Sequence, residues 1–410
     1  MILKNNIGKS NQFKKIESTI NFQKKIKFFI KNIKISQFRN HDNLILDLSK
    51  EPIILHGSNG IGKTNILEAV SFLNPGRGLR RAKSKDIYSY HFNEKNKNNL
   101  SWGVNADVAT PDGCFNIGTG STANRNSRVV KIDSIECNQL ELSKIFKISW
   151  LTPQMLLLFH TSMKEKRQFI DRLVNYLNPS HMSYLYKFEK LIRERSKIFN
   201  DFQFEELWLE SLEKNIINLS LLITQNRHKL MSEINKINLH QLDKLNDRDF
   251  PLINIHLDSL TDTWLLNEGE IECKNKLINL LRENRRNQSS YFPGPHNSNV
   301  SIINLKSKKE INFCSTGEQK IMLISLILNH SKLLESYYNF PPILLLDDIV
   351  EHLDEKHKQS LFLKMSKHKS QCWFTCTNLK YFKNFPIPYK AISVDHLQST
   401  SINNKELEYA

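Results

Sequence analysis

The strongest constraint on the fold comes from residues 51–73, which read EPIILHGSNGIGKTNILEAVSFL. Four residues fill the fixed positions of the pattern G-x-x-x-x-G-K-[ST]: Gly57, Gly62, Lys63 and Thr64. The apolar run 52–55 before the loop is typical of a short parallel strand. Apolar residues at helical spacing follow the loop: Ile66, Ala69, Val70 and Leu73. This strand, loop and helix predict that the chain binds a nucleoside triphosphate.

Each fixed position of the loop has a physical role. Glycines permit positive φ angles, so that backbone N–H groups converge on phosphate oxygens. The Lys63 ammonium would reach the β- and γ-phosphates, the Thr64 hydroxyl would bind Mg²⁺, and the helix N-terminus adds attraction for anions. We therefore predict that the whole loop contacts the cofactor: Gly57, Ser58, Asn59, Gly60, Ile61, Gly62, Lys63 and Thr64.

Length and composition limit the class of protein. A chain of 410 residues exceeds what one core usually organises, which favours two domains or one domain with a large insertion. Its 40% hydrophobic and 24% charged residues are ordinary for a globular protein. No window approaches 18 uncharged apolar residues, so we expect no membrane span.

Charge and cysteine content bear on partners and compartment. The net charge of +16 permits an anionic polymer as partner, but Lys, Asn and Ile are abundant along the whole chain, which indicates a general compositional bias. The six cysteines form no C-x-x-C pair, which favours reduced thiols and a cytoplasmic location over a zinc site.

The pattern along the chain predicts an α/β fold. Residues 1–28 carry many lysines and little apolar periodicity, and we interpret them as a flexible basic extension. Two segments, 29–160 and 288–410, predict one ATPase domain with a mixed sheet and a β-rich lobe, the lobe including the alternating segments between 100 and 150. Residues 161–287 predict a mainly helical inserted domain, too short and too poor in heptads for a long coiled coil.

A second part of a nucleotide site follows the apolar run Pro342–Leu346, which predicts a buried strand. Two acids close this run, at the strand end where α/β sheets place ligands. We predict that Asp347 holds Mg²⁺ and that Asp348 polarises the attacking water.

The segment 314–320, CSTGEQK, begins a predicted helix. Ser315 and Glu318 have the spacing of a capping box, and Gly317 lets a partner approach the backbone. The helix start is a receptor for a γ-phosphate. Gln319 in this segment lies 27 residues ahead of Leu346, which is the place of an ABC-type signature, a motif that acts on the nucleotide of a second subunit. We therefore predict a homodimer with nucleotide between its subunits, in which Ser315, Gly317 and Gln319 contact the cofactor.

Two further positions complete the predicted site. Gln154 lies in WLTPQ, where the β-rich lobe meets the helical block, and is predicted to sense Mg²⁺ or the attacking water. Asp354, in HLD, matches a loop that crosses the dimer interface and is predicted to contact the cofactor.

These motifs, in this order, resemble those of the RecF family of recombination-mediator ATPases, which are related to SMC and ABC ATPases. The resemblance covers about residues 30–380 and is carried by FRN, GSNGIGKTNILEA, WLTPQM, KRQFIDRLV, GPH, STGEQK, LLLDD with HLD, and Thr375-x-Thr377. It implies an ABC/SMC-like ATPase head that uses ATP and Mg²⁺, is a slow ATPase, and dimerises on single-stranded or gapped DNA. It further implies a role with RecO- and RecR-type mediators in DNA repair, replication and SOS induction.

The sequence also departs from this family. Residues 297–299, which follow GPH, are Asn-Ser-Asn where the family commonly has a basic residue and acids, and Glu318 stands where an ABC signature has Gln. Residues in contact with DNA are not defined by the sequence. Two basic clusters are candidates: Arg80, Arg81, Lys83 and Lys85, and Arg193, Arg195 and Lys197.

Other classes fit less well. A transporter ATPase has its signature much nearer the phosphate loop, whereas Ser315 lies 252 residues after Lys63. An SMC protein needs a long coiled coil, and a P-loop kinase needs no signature helix. The alternative left open is an SMC-like or ABC-type ATPase that acts as a structural or regulatory switch without a role in DNA repair.

Overall fold

The computed structural model describes residues 28–82, 86–88, 101–122, 125–158, 161–201, 206–242, 250–287 and 289–397. The chain packs as two compact units. The first extends to Met155 and resumes at Leu334, and the second is Leu156–Leu333. Except for Phe28, the predicted basic extension lies outside the described residues. A compact unit need not coincide with a domain, so the domain boundaries predicted above stay a prediction.

The elements up to Leu156 are β1 (Phe29–Phe38), β2 (His41–Asp47), β3 (Ile53–His56), α1 (Lys63–Ser71), β4 (Trp102–Thr110), β5 (Gly113–Thr122), β6 (Arg125–Ile132), β7 (Ile135–Cys137), α2 (Gln139–Ile145), β8 (Ile148–Leu151) and α3 (Pro153–Leu156). They are followed by α4 (Met163–Leu177), α5 (His181–Asp201), α6 (Glu206–Leu242), β9 (Ile253–Asp258), α7 (Leu260–Arg286) and β10 (Asn299–Asn304). The last elements are α8 (Thr316–Tyr338), β11 (Ile343–Leu346), α9 (Glu355–Ser366), β12 (Cys372–Cys376) and β13 (Lys390–Ser393), with 3₁₀ turns at Ile311–Phe313, Val350–His352 and Leu379–Phe382.

The first unit contains two sheets, and the predicted α/β class is confirmed. The predicted mixed sheet is not found among the described residues, because one sheet is antiparallel throughout and the other is parallel throughout. Six antiparallel strands, in the order β2-β1-β4-β5-β6-β7, form the predicted β-rich lobe. In β1, Ile33 and Ile35 are buried and Lys34 between them is exposed, which is the alternation of a strand with one covered face.

A parallel sheet of five strands, in the order β13-β3-β12-β11-β8, is the second sheet. All four residues of β11 and all five of β12 are buried, as expected for parallel strands covered on both faces. One of the alternating segments assigned above to the lobe, residues 147–152 (KISWLT), does not belong to it, because β8 pairs in parallel with β11. The carboxyl ends of these strands share one edge of the sheet, where α/β proteins bind ligands.

The second unit is mainly helical, but it also contains a strand that the sequence analysis did not predict. Strand β9 pairs with β10 in antiparallel register, and its alternating burial is that of a short half-buried strand. Helix α7 is interrupted at Gly269, whose φ of 85° is not helical. A separate apolar core holds this unit together and includes Phe188, Ile216, Leu277 and Phe292.

Buried ion pairs also lie in the second unit. Arg227 donates to both carboxylate oxygens of Asp171, at 2.7 and 2.8 Å, and to the carbonyl of Pro295 at 2.6 Å. Arg195 is 1% exposed and bonds to Glu213 at 2.9 Å. Its inclusion in a surface cluster is therefore wrong, since the side chain faces inward to the carboxylate on α6.

Within the part of the chain that the structure describes, no helix combines the length and the apolar character needed to cross a membrane.

Candidate nucleotide site

The phosphate loop lies between β3 and α1, as the sequence predicts. Gly62 precedes α1 with a φ of 105°, and a Cβ at this position would collide with the amide of Asn40. That amide donates to the carbonyl of Ile61 at 2.9 Å and accepts from Asn65 at 2.6 Å. Only glycine allows the loop to pass so close to Asn40, so this glycine has a structural role besides any contact with phosphate.

Lys63 is buried and turns back to its own loop. Its ammonium donates to the carbonyls of Gly57 at 2.7 Å and Ser58 at 3.1 Å. The ammonium thus binds carbonyl oxygens in the place where phosphate oxygens could bind. The side chain is therefore already directed to the interior of the loop.

The loop and the acids after β11 meet through hydroxyl groups. Thr64 Oγ1 donates to Asp347 Oδ1 at 2.9 Å, although the two residues are 283 positions apart. Thr375 Oγ1 lies 2.8 Å from the same oxygen. Burial raises the pKa of Asp347, and the neighbouring Asp348 carboxylate adds to the rise. A cation at this position would offset that cost of ionisation.

The donor set fits Mg²⁺. In the described residues no cluster of three or more His, Cys, Asp or Glu side chains could hold a metal. Mg²⁺ commonly uses one or two protein oxygens and completes its shell with phosphate and water. The hydroxyl of Thr64 and the carboxylate of Asp347 are two such oxygens, and their contact places them within reach of one ion.

The site also contains residues that the sequence analysis did not assign. Asp395, which follows β13, accepts hydrogen bonds from the backbone N–H and the hydroxyl of Ser58. On α1, the fully buried Glu68 binds Arg39 through two bonds of 2.9 and 3.0 Å and binds Arg80 at 3.2 Å. In the sequence, a single acid, Glu68, on an otherwise apolar helix face is the signal that could have indicated these ion pairs with arginine.

The pairing of Arg80 bears on the candidate DNA surface. The Arg80 guanidinium also donates to Asn65 on α1. Arg80 therefore stabilises α1, although its own side chain is partly exposed. Arg81 is exposed, whereas Lys83 and Lys85 lie outside the described residues. In the other cluster, Arg193 and Lys197 are exposed on α5.

Gln154 lies on α3, directly after β8. Because Leu151 pairs with Leu346, Gln154 and Asp347 follow adjacent parallel strands at the same edge of the sheet. The Gln154 side chain is exposed. The structure thus brings it to the edge that carries the acids, while its predicted contact with metal or water stays a prediction.

The predicted capping box at the start of α8 is confirmed. Glu318 N–H donates to Ser315 Oγ at 3.3 Å, and the Glu318 carboxylate accepts from the N–H of Ser315 at 2.8 Å. Gly317 is exposed. Gln319 instead is buried, and its amide donates to the carbonyls of Ile311 and Cys314 at 3.0 and 3.1 Å. It therefore supports the loop before Ser315 from inside, and the structure does not bring it to the surface.

Asp354 also has a local partner. It is the N-cap of α9 and accepts the N–H of His357 at 2.9 Å. The carboxylate remains largely exposed, so the cap orients this side chain without burying it.

A parallel sheet with a phosphate loop, paired acids and a capped signature helix defines an ATPase head of the ABC and SMC class. The family described as RecF/RecN/SMC N terminal domain matches residues 29–400. DNA replication and repair protein RecF of Rickettsia typhi is 34% identical over 87% of this chain and 96% of its own length. The same protein of Agrobacterium fabrum is 31% identical over 90% of this chain and 98% of its own length.

The chain therefore belongs to the RecF family. A solved structure described as "Structure of the recombination mediator protein RecF-ATPrS in RecFOR pathway" shares its fold, with a TM-score of 0.74 and 19% identity over 90% of this chain and 97% of the other.

Proposed function

We propose that this chain binds ATP with Mg²⁺ and dimerises on single-stranded or gapped duplex DNA. The observation that carries the proposal is the contact between Thr64 and Asp347, which joins the phosphate loop to the acid expected to hold the cation. The family relationship supports ATP as the nucleotide and DNA as the partner.

In this proposal the nucleotide site is completed by a second copy. Ser315 and Gly317 are exposed at the N-terminus of α8, where backbone N–H groups favour an anion. Those of one subunit would close over the γ-phosphate bound by the other, with Asp354 at the interface between the two subunits. Hydrolysis would then remove the group that both subunits contact and release the dimer.

The chemistry assigned to the site is slow ATP hydrolysis. Mg²⁺ would neutralise phosphate charge, with Thr64 and Asp347 as its protein ligands and Gln154 near them, and Asp348 would accept a proton from water. The proposed biological role is recombinational repair, replication maintenance and SOS induction in the cytoplasm, together with RecR- and RecO-type proteins.

The decisive experiment measures the mass of the protein in solution by light scattering with ATP, with ADP and without nucleotide, each with and without gapped DNA. We expect dimers with ATP and monomers with ADP, and stronger dimerisation when gapped DNA is present. Monomers under all conditions would contradict the switch. Dimers that form with ATP but do not bind DNA would favour the alternative, an SMC-like or ABC-type switch without a role in repair.

Lys63→Met tests the same proposal within the site. Methionine keeps the unbranched shape and removes the ammonium, so both ATP binding and dimerisation should be lost. We expect affinity for ATP to fall at least about tenfold, the equivalent of one charge-assisted hydrogen bond. Lys190→Met, on the exposed face of α5, is the matched control and should behave as the wild type.

A further inference from the structure

One hydroxyl group contacts both acids that follow β11. Thr375 Oγ1 lies 2.8 Å from Asp347 Oδ1 and 3.0 Å from Asp348 Oδ1, and it accepts the backbone N–H of Asp348 at 2.8 Å. Thr375 is fully buried. Hydrogen bonds in such surroundings are strong and expensive to lose, since the separated groups find no water.

The register of the parallel sheet explains this arrangement. Leu346 pairs with Phe374, so Asp347, the first residue after β11, lies beside Thr375, the fourth residue of β12. The chain then turns, and Asp348 has a φ of 49°, in the left-handed region that only a few non-glycine residues adopt. The bond from its N–H to Thr375 stabilises this turn.

We propose that Thr375 is a positioning residue of the nucleotide site. Its hydroxyl orients the Asp347 carboxylate, which is expected to bind Mg²⁺. It also bonds to the backbone N–H of Asp348 and orients the Asp348 carboxylate, which is expected to act on water. This inference rests on the proposed function, because it assigns Thr375 a role only through Asp347 and Asp348.

The donor count at this hydroxyl links the two acids. A threonine has one hydroxyl hydrogen, so it donates to one carboxylate at a time. Thr64 provides a second donor to Asp347. A cation held by Thr64 and Asp347 would satisfy Asp347 and leave the Thr375 hydrogen for Asp348. Binding of the cation would then favour one orientation of the acid that acts on water.

The same strand end offers a matched control. Thr377, two residues further, donates through its hydroxyl to Glu351 at 2.8 Å, and no bond from it to Asp347 or Asp348 occurs among the described residues. Thr375→Val and Thr377→Val each replace one hydroxyl by a methyl group of similar size, at neighbouring positions of one segment.

The experiment measures ATP affinity with Mg²⁺ and with EDTA, ATP turnover and thermal unfolding, for the full chain and its variants. Thr375→Val should keep the affinity measured in EDTA within about twofold, because the hydrogen bonds of the Thr375 hydroxyl go to Asp347 and Asp348 and, among the described residues, none joins it to the phosphate loop. It should lose most of the increase in affinity that Mg²⁺ gives the wild type, and its turnover should fall at least about tenfold. Thr375→Ser, which keeps the hydroxyl, should restore both, and Thr377→Val should resemble the wild type.

Two results would overturn the inference alone. One is a folded Thr375→Val protein with the Mg²⁺ response and turnover of the wild type. The other is a Thr375→Ser protein that loses both, which keeps the proposal open to refutation even if valine at this buried site prevents folding. A wild-type protein that binds no ATP under either condition would instead overturn the proposed function and this inference with it.

Discussion

Asp395 accepts two kinds of hydrogen bond from Ser58, one from its hydroxyl at 2.7 Å and one from its backbone N–H at 3.3 Å. Because Ser393 pairs with His56 in the parallel sheet, Asp395 and Ser58 each follow their strand by two residues. A Cβ on Gly57 would collide with the Asp395 carboxylate, so the first glycine of the loop makes room for an acid of this same chain. Asp395 thus contacts the first part of the loop, at Gly57 and Ser58, and Asn40 contacts its last part, at Ile61 and Gly62.

Two substitutions of Asp395 separate its effect as a hydrogen-bond acceptor for the loop from its effect as a negative charge. Asp395→Ala removes the acceptor and should lower ATP affinity about three- to tenfold, because the loop must then be ordered when the nucleotide binds. Asp395→Asn keeps an acceptor oxygen and removes a negative charge near the phosphates, so its affinity should equal or exceed that of the wild type. Calorimetric titration with ATP measures both. Equal affinities for the alanine variant and the wild type would show that Ser58 needs no such support.

Asp348→Asn tests the acid assigned to catalysis. Asparagine tolerates the left-handed conformation and can still bond to Thr375, while it cannot act as a base. Turnover should fall by about 10²-fold or more, the usual contribution of a positioned base. ATP affinity should remain within about threefold of the wild type, since the phosphate loop is unchanged. Asp112→Asn, at an exposed turn, is the control. Turnover equal to that of the wild type would remove Asp348 from the mechanism.

The contact between the phosphate loop and the β11 acids could be predicted because each motif has a fixed internal spacing and a fixed place at a strand end. The roles of Thr375 and Asp395 could not. They depend on which strands pair and in which register, and this places residues together that are 28 and 337 positions apart in sequence. Periodicity within a short segment contains no information about its neighbour in the sheet.

The same limit explains the misplaced strands. Strand β8 has four residues, ISWL, and so short an apolar run fits a lobe strand as well as a parallel core strand. Strand β9 has only six residues and lies between long helices, so the pattern of its neighbours predicts a helical segment there. Arg195 was grouped with its basic neighbours because the sequence could not reveal that Glu213, on another helix, faces it.

The GPH segment carries a pH-dependent contribution to stability. The His296 ring stacks on Phe292 and lies 5.4 Å from the ring of Phe188. Burial lowers the pKa of His296 to about 4, and the nearby Arg167 and Arg227 add to the effect. The ordinary value is 6.5, so between these limits the unfolded chain binds more protons, and stability must fall as the pH drops from 6.5 toward 4.

His296→Phe should reduce this dependence, because it keeps an aromatic ring and removes the titrating group. Between pH 7.5 and 5.5, the wild type should lose about 1 kcal/mol more unfolding free energy than the variant. Urea unfolding at the two pH values measures the difference. His256→Phe replaces an exposed histidine of β9 and should keep the wild-type dependence. An equal loss in His296→Phe and the wild type would exclude His296 as the source.

Replacing Gly317 tests whether this glycine is needed by the fold of the monomer or by contact with a partner subunit. It lies in the first turn of α8, and a Cβ at this position would meet no atom within 4 Å in the described residues. Alanine has the higher helix propensity, so Gly317→Ala should raise the free energy of unfolding of the monomer, by up to about 1 kcal/mol. In the proposed dimer the added methyl group would lie where the second subunit brings its nucleotide, and ATP-dependent dimerisation should weaken about tenfold or more.

The two measurements are denaturant unfolding without nucleotide and light scattering with ATP over a range of protein concentrations. Ser315→Ala is the contrasting variant, because it removes the cap of α8 and should destabilise the monomer by about 1 kcal/mol while adding no bulk. If Gly317→Ala dimerised with ATP as tightly as the wild type, the N-terminus of α8 could not lie against the nucleotide of a second copy. A more stable monomer that no longer dimerises is the outcome that only a partner-facing glycine explains.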